Sequence, residues 1–142
     1  MKIHIVTVGS PKLAYAKQGW DEYLKRLNHY HDVKATHISD KQNDAEHLLA
    51  AIGEAYTVAL VIDGPQMTSQ QFAAFLERRS VQATVVCFVI GGPDGLPTEV
   101  FERSNTKLSF SKQTFPHDLA MVVLVEALYR ASTINAGQPY HR

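Results

Sequence analysis

The sequence predicts an α/β fold, a parallel sheet sandwiched by helices. Three observations predict it. Short apolar runs alternate with amphipathic segments along the chain. Two of those runs, Thr57–Ile62 and Thr84–Ile90, are apolar at nearly every position, as strands covered on both faces must be. Both runs also stop at turn signals, Asp63-Gly64-Pro65 and Gly91-Gly92-Pro93-Asp94-Gly95.

The elements follow in order. Lys2 to Val8 reads as a strand, ended by Gly9-Ser10-Pro11. Ala14 to Leu27 reads as a helix, with Trp20, Tyr23, Leu24 and Leu27 on one face. Val33 to Ile38 is a second strand. Lys41 to Asp44 is a polar turn, and Asp44 is placed to cap a helix over Ala45–Ala55. After the strand Thr57–Ile62, Ser69 can cap a helix over Gln70–Arg79 that turns Phe72, Phe75 and Leu76 inward. After the strand Thr84–Ile90, Thr98 opens a short helix to Arg103. A last strand, Lys107 to Ser111, runs into a polar loop and then a long apolar helix. In that helix Met121, Leu124, Val125 and Leu128 recur at helical spacing, and Glu126 and Arg130 can pair one turn apart. Gly137 and Pro139 should end it and redirect the chain.

Composition narrows the function. A chain of 142 residues is one domain's worth, 1–142, and it can bury a core without staples. No apolar run approaches the length of a membrane span, and the apolar stretch after Met1-Lys2 is too short for a signal peptide, so the expected compartment is the cytoplasm. The single Cys87 lies in a core strand and reads as a small hydrophobe. Net charge is zero, but residues 1–102 hold nine Lys/Arg against twelve Asp/Glu, and residues 103–142 hold five against two. The basic bias falls on the C-terminal segment.

Several chemistries are disfavoured. The Gly91–Gly95 turn fits neither the dinucleotide fingerprint nor the P-loop. No serine sits in a nucleophile elbow. His29, His31, His37 and His47 have no cysteine partners nearby and read as surface histidines, so no metal is expected. Three loops remain at the carboxyl ends of strands, where such sheets bind ligands: Asp63-Gly64-Pro65, Gly91–Gly95 and Phe110–Phe115. The C-terminus, Tyr140-His141-Arg142, offers an aromatic ring, an imidazole and a guanidinium, although composition alone would make it a frayed tail.

The chain resembles the bacterial large-subunit ribosomal RNA methyltransferase H family, of the SPOUT class. The match runs nearly end to end. It shows in Ile3-His4-Ile5-Val6-Thr7-Val8-Gly9, in Glu22–Leu27 and in Phe88–Leu96. It is strongest in Leu108–His117, in Leu128-Tyr129-Arg130-Ala131 and in Pro139-Tyr140-His141-Arg142. The resemblance implies an α/β, parallel-sheet sandwich whose C-terminal part is threaded as a trefoil knot. It implies S-adenosylmethionine as cofactor, held by Leu60, Gly91 and the loop Phe110, Ser111, Lys112, Gln113, Thr114 and Phe115. The implied substrate is a pseudouridine of large-subunit ribosomal RNA, methylated at N3 on the assembled ribosome by a homodimer. His117 and His141 are then candidates to take the N3 proton, and Tyr140 and Arg142 to stack on the base and hold a phosphate, within one subunit or across the dimer.

Three positions depart from the family pattern. Met121 stands where an arginine is usual, one helical turn after His117. Gln113 replaces an apolar residue, and the stretch near Asp40–Asp44 is shortened. The alternatives are a knotted RNA- or ribosome-binding relative without turnover and, setting the resemblance aside, a small nucleotide-binding α/β protein.

Overall fold

The computed structural model describes residues 1–83 and 85–142; Thr84, expected to open the fourth strand, lies outside the described residues. In chain order the elements are β1 (Lys2–Val8), α1 (Ala14–Leu27), β2 (Asp32–Ile38), α2 (Ala45–Ile52), β3 (Tyr56–Leu60), α3 (Ser69–Gln82), β4 (Val85–Ile90), α4 (Thr98–Arg103), β5 (Thr106–Leu108) and α5 (His117–Asn135). Single 3-10 turns cover Asp40–Gln42 and Pro139–His141. The strands form one sheet in the order β2-β1-β4-β3-β5, and each described pairing is parallel.

The two-residue period of the strands divides the core into two layers. Ile3, Ile5, Val86, Phe88 and Ile90 point to one face, where Trp20 and Leu27 of α1, Phe72 and Leu76 of α3, and Met121, Leu124, Val125 and Leu128 of α5 cover them. Val6, Val8, Cys87 and Val89 point to the other, under Leu48 and Ile52 of α2 and Val100 of α4. The central strands β1 and β4 are thus buried on both sides, which is why their sequences are apolar without alternation.

The ends of elements differ from the sequence expectation where side chains compete with backbone. The cap of α3 is Thr68, not Ser69: Thr68 Oγ1 accepts from the Gln71 N–H at 3.1 Å, and Gln71 Oε1 accepts from the Thr68 N–H at 2.8 Å. Ser69 is the first helical residue and lies 3.3 Å from Arg130 Nη1. Asp44 does cap α2, accepting from the His47 N–H at 2.8 Å, but the helix stops three residues early at Gly53, whose φ is 62°. Strand β5 ends at Leu108 rather than Ser111, because the Ser109 N–H leaves the ladder for the Pro65 carbonyl at 2.8 Å. Gly137 closes α5 at a φ of 73°, as its position predicts.

Helix α5 lies between α1 and α3. Its approach to α1 is close at Gly19, where a Cβ would lie 3.1 Å from Val122 Cγ1. That contact, with the burial of Met121 and Leu124, fixes where the helix begins. His117 and Asp118 are its first two residues.

Candidate active site

The loops that follow β3, β4 and β5 converge at the carboxyl ends of the strands. Hydrogen bonds join two of them. The Val61 N–H donates to the Leu108 carbonyl at 2.9 Å, and Ser109 Oγ donates to the Ile62 carbonyl at 2.7 Å. Ser111 Oγ accepts from the Gln113 N–H at 3.0 Å and shapes the turn beyond. Between the three loops lies a cleft of about 610 Å³, a volume suited to a nucleoside-sized ligand. Leu60, Gly91, Phe110, Ser111, Gln113, Thr114 and Phe115 line it, together with His117. Lys112 does not; its side chain is exposed and lies outside the wall, a correction to its expected place. Gly92 and Pro93 of the expected Gly91–Gly95 loop also form the wall, as do Leu96, Phe101 and Ala120, which sequence reasoning did not single out as ligand contacts. No Lys, Arg, Asp or Glu side chain lines the cleft among the described residues.

Gly91 is small because its own turn leaves no room for a side chain. A Cβ there would lie 2.6 Å from the Gly95 carbonyl carbon and 2.9 Å from the Leu96 nitrogen. The space is claimed by its own turn, which is closed by the Gly95 N–H donating to the Gly92 carbonyl at 3.0 Å. The tight turn brings backbone to the cleft wall, and a side chain would force it open.

His117 opens α5 with its ring against the cleft and against Gly9, where a Cβ would sit 3.7 Å from His117 Cε1. Asp118 beside it is buried. Its Oδ2 accepts from the backbone N–H groups of Lys12 and Leu13 at 2.8 and 2.6 Å, and its Oδ1 lies 3.5 Å from His117 Nδ1. The Leu13 N–H above all, then that of Lys12 and the His117 ring, hold this carboxyl below the ordinary aspartate value despite its desolvation. Sequence reasoning missed Asp118. An acidic residue in the first turn reads as a dipole partner, and its backbone donors are more than a hundred positions away.

The tail lies elsewhere. The Gln138 N–H donates to the Thr133 carbonyl at 2.9 Å, and Pro139–His141 turn back along α5. The Tyr140 ring meets Tyr129 edge-on at 4.7 Å, and its O–H lies 3.2 Å from Tyr23 Oη and 3.3 Å from Glu126 Oε2. Burial, then the Tyr23 and Glu126 neighbours, push its phenol above the ordinary tyrosine value, so it stays a neutral donor. Tyr129 stands more than three turns beyond His117, a rise of about 18 Å along the helix. Within one protomer, Tyr140, His141 and Arg142 are therefore not brought together with His117. The tail is docked rather than frayed, because three side chains from α1 and α5 bind its tyrosine.

Met121 is fully buried in the core cluster, so its side chain does not face the cleft or solvent. The histidines read as surface groups are partly engaged: His31 Nε2 lies 3.0 Å from Ser132 Oγ, and His37 Nδ1 lies 2.6 Å from Thr7 Oγ1. No group of three or more His, Cys, Asp or Glu side chains is placed to hold a metal ion among the described residues. A larger hollow, about 1070 Å³, opens at the amino ends of the strands. Its wall mixes Lys2, Lys34 and Arg103 with Asp32 and Glu54. It lies at the end of the sheet opposite the one where parallel sheets bind ligands.

Comparison with known proteins shows the family and the fold. Residues 1–141 match the family model described as "Predicted SPOUT methyltransferase". A protein of Deinococcus radiodurans named ribosomal RNA large subunit methyltransferase H is 46% identical, over all of this chain and 99% of its own length. A protein of the same name from Exiguobacterium sibiricum is 42% identical, over the whole of both chains. Among solved structures, a probable methylase family protein from Haemophilus influenzae superposes with a TM-score of 0.64 at 12% identity, covering 99% of this chain and 70% of that one. The methyltransferase AviRb from Streptomyces viridochromogenes, solved in complex with AdoMet, superposes with a TM-score of 0.50 at 11% identity, covering 98% of this chain and 59% of that one.

Proposed function

The chain belongs to the SPOUT methyltransferase family, and from that premise we propose that it methylates large-subunit ribosomal RNA with S-adenosylmethionine, at N3 of a pseudouridine on the assembled ribosome. The name carried by its full-length relatives supports the RNA substrate. The observation that carries the cofactor is the cleft wall. It is built of glycine backbone, apolar side chains, hydroxyls and one histidine, with no charged side chain among the described residues. A phosphate-bearing nucleotide would meet no lysine or arginine there, which weighs against a small nucleotide-binding protein. A nucleoside without phosphates fits the wall, with Leu60, Phe110 and Phe115 around its apolar parts and the Gly91–Gly95 turn offering backbone groups.

The bound sulfonium would supply an activated methyl group, which carries the hard part of the chemistry. The protein's work is to align the ring nitrogen and remove its proton. His117 is at the cleft wall for that role, within reach of a base that enters over Phe115 and Ala120. Lys112 is exposed beside the cleft loop and is free to meet a phosphate.

All 142 residues act as one domain in this reading, in the cytoplasm. No described helix is long and apolar enough to cross a membrane. The C-terminal segment is threaded as a trefoil knot; the bonds from Leu108 and Ser109 into the loop after β3 support this. The working unit is a homodimer. Leu13 and Tyr15 at the entry of α1 are more than half exposed, and α5 is apolar on most of its circumference, as a helix covered by a second copy would be. A dimer also gives Tyr140, His141 and Arg142 a route to a cleft they do not reach in their own protomer.

The test is to incubate the purified protein and labelled cofactor with ribosomes lacking the modification, then map the label. Label at one pseudouridine N3 is expected. Gly91→Val should abolish calorimetric cofactor binding by opening the turn. Wild-type protein that binds no S-adenosylmethionine would sink the reading. Cofactor binding without transfer would favour a non-catalytic ribosome-binding relative.

A further inference from the structure

Asp118 joins two parts of the molecule that are far apart in sequence: the entry of α1 and the ring of His117. Capping the α1 entry occupies one of its oxygens. Oδ2 accepts both backbone N–H groups, from Lys12 and Leu13, at 2.8 and 2.6 Å. Oδ1 is left facing His117 Nδ1 at 3.5 Å. Because Oδ2 is anchored by two backbone donors, the carboxylate is held in place independently of the ring. An imidazole beside a fixed carboxylate keeps its proton on the nitrogen that faces it and presents the lone pair on the other. That other atom, His117 Nε2, is buried and has no hydrogen-bond partner among the described groups. The ring that carries it lines the cleft, and a buried ring nitrogen without a partner is costly unless something arrives to use it.

The remaining charged and titratable neighbours fit the same reading. Asp40 comes from the turn after β2, with Oδ1 3.9 Å from the position a Cβ on Gly9 would take, the position that His117 Cε1 approaches at 3.7 Å. His37, at the end of β2, is held by Thr7 at 2.6 Å, and burial and then the nearby His117 ring lower its pKa.

We propose that Asp118 is a positioning residue for methyl transfer: it fixes the tautomer and orientation of His117, so that Nε2 receives the proton shed by the target ring nitrogen. This rests on the reading of the chain as an RNA methyltransferase. The proton leaves the substrate nitrogen for Nε2, the nitrogen's electron pair forms the new bond to the donor's methyl carbon as the carbon–sulfur bond breaks and its pair stays on sulfur in a neutral thioether, and the resulting imidazolium faces the Asp118 carboxylate. The same carboxylate ties the α1 entry loop, residues 10–13, to the proton acceptor, so the loop and the base move together.

The experiment has a readout that needs no cofactor. Nitrogen-15 NMR of the His117 imidazole in the wild-type protein should show Nδ1 protonated and Nε2 as acceptor. A proton on Nε2 would overturn the proposal, however the variants behave. In Asp118→Asn the amide oxygen can still cap α1, while its N–H₂ group donates towards Nδ1, so the tautomer should invert. Calorimetric S-adenosylmethionine affinity should stay within about twofold, while kcat on unmodified ribosomes falls on the order of 10²-fold, with the KM for ribosomes unchanged. His117→Ala should lose at least as much. A folded Asp118→Asn variant with the wild-type tautomer and rate would reduce Asp118 to a helix cap and overturn the proposal. Wild-type protein without methyl transfer would sink the RNA methyltransferase reading itself, and the role of Asp118 with it.

Discussion

The two ends of α5 are built in opposite ways. At its start, Asp118 spends its carboxylate on backbone of another element, and the buried Nε2 of the neighbouring His117 ring stays unpaired. At its end the polar groups bind one another: Glu126 pairs with Arg130, Tyr140 with Tyr23 and Glu126, and Ser132 with His31. The first end lies at the ligand cleft, and the second is closed on itself through most of its polar groups, with His31 Nδ1 the exception, buried and without a partner.

Four measurements break or sharpen this contrast. The largest effect is expected one turn from the open end. Met121→Arg places an unpaired cation among fully buried side chains, and chemical denaturation should show a loss of about 4 kcal/mol or more. A folded variant with faster, more salt-dependent turnover would instead return this position to RNA contact.

Removing Pro139–Arg142 tests the closed end. The loss of one aromatic pair and its hydrogen bonds should cost about 1–3 kcal/mol of stability. S-adenosylmethionine should still bind, because the cleft lies at the far end of the helix. Turnover should vanish. Mixing this truncated chain with Gly91→Val chains should restore part of it if each cleft takes its tail from the partner. Activity that survives truncation would remove the tail from the mechanism.

His31 makes the closed end sensitive to acid. Burial, and then the N-terminal ammonium, lower its pKa to about 4. The unfolded chain therefore takes up a proton first. Stability is full above about pH 6.5 and falls as pH drops towards 4, by an amount on the order of 2 kcal/mol. His31→Gln should flatten that slope in denaturation curves at pH 7 and pH 5. The smallest effect belongs to Tyr140→Phe, which removes one hydroxyl from a half-buried site and should cost about 1 kcal/mol or less.

The sheet was legible because burial on one or both faces leaves a period in the sequence. The loops that line the cleft were legible because strand ends in parallel sheets are where ligands go. What escaped depends on partners distant in the chain. Thr68 was passed over for Ser69 although Gln71 stands three residues on, the spacing of a capping box. Nothing local says that Tyr140 docks on Tyr23 or that Asp118 takes its donors from Lys12 and Leu13. Met121 fitted both an apolar stripe and a lost arginine, and only packing against β1, β4 and the neighbouring helices separates the two.

The central strand β4 carries one more consequence, for how the protein can be watched. Cys87 is the only thiol in the chain, it is fully buried, and burial pushes its pKa up to about 12. Folded protein is therefore close to inert towards alkylating reagents, which attack the thiolate. Modification of Cys87 requires β4 to be exposed, an opening at or near the global level. Its alkylation rate thus counts the unfolded fraction directly, and a cysteine introduced at the surface would be the only site a dye could reach.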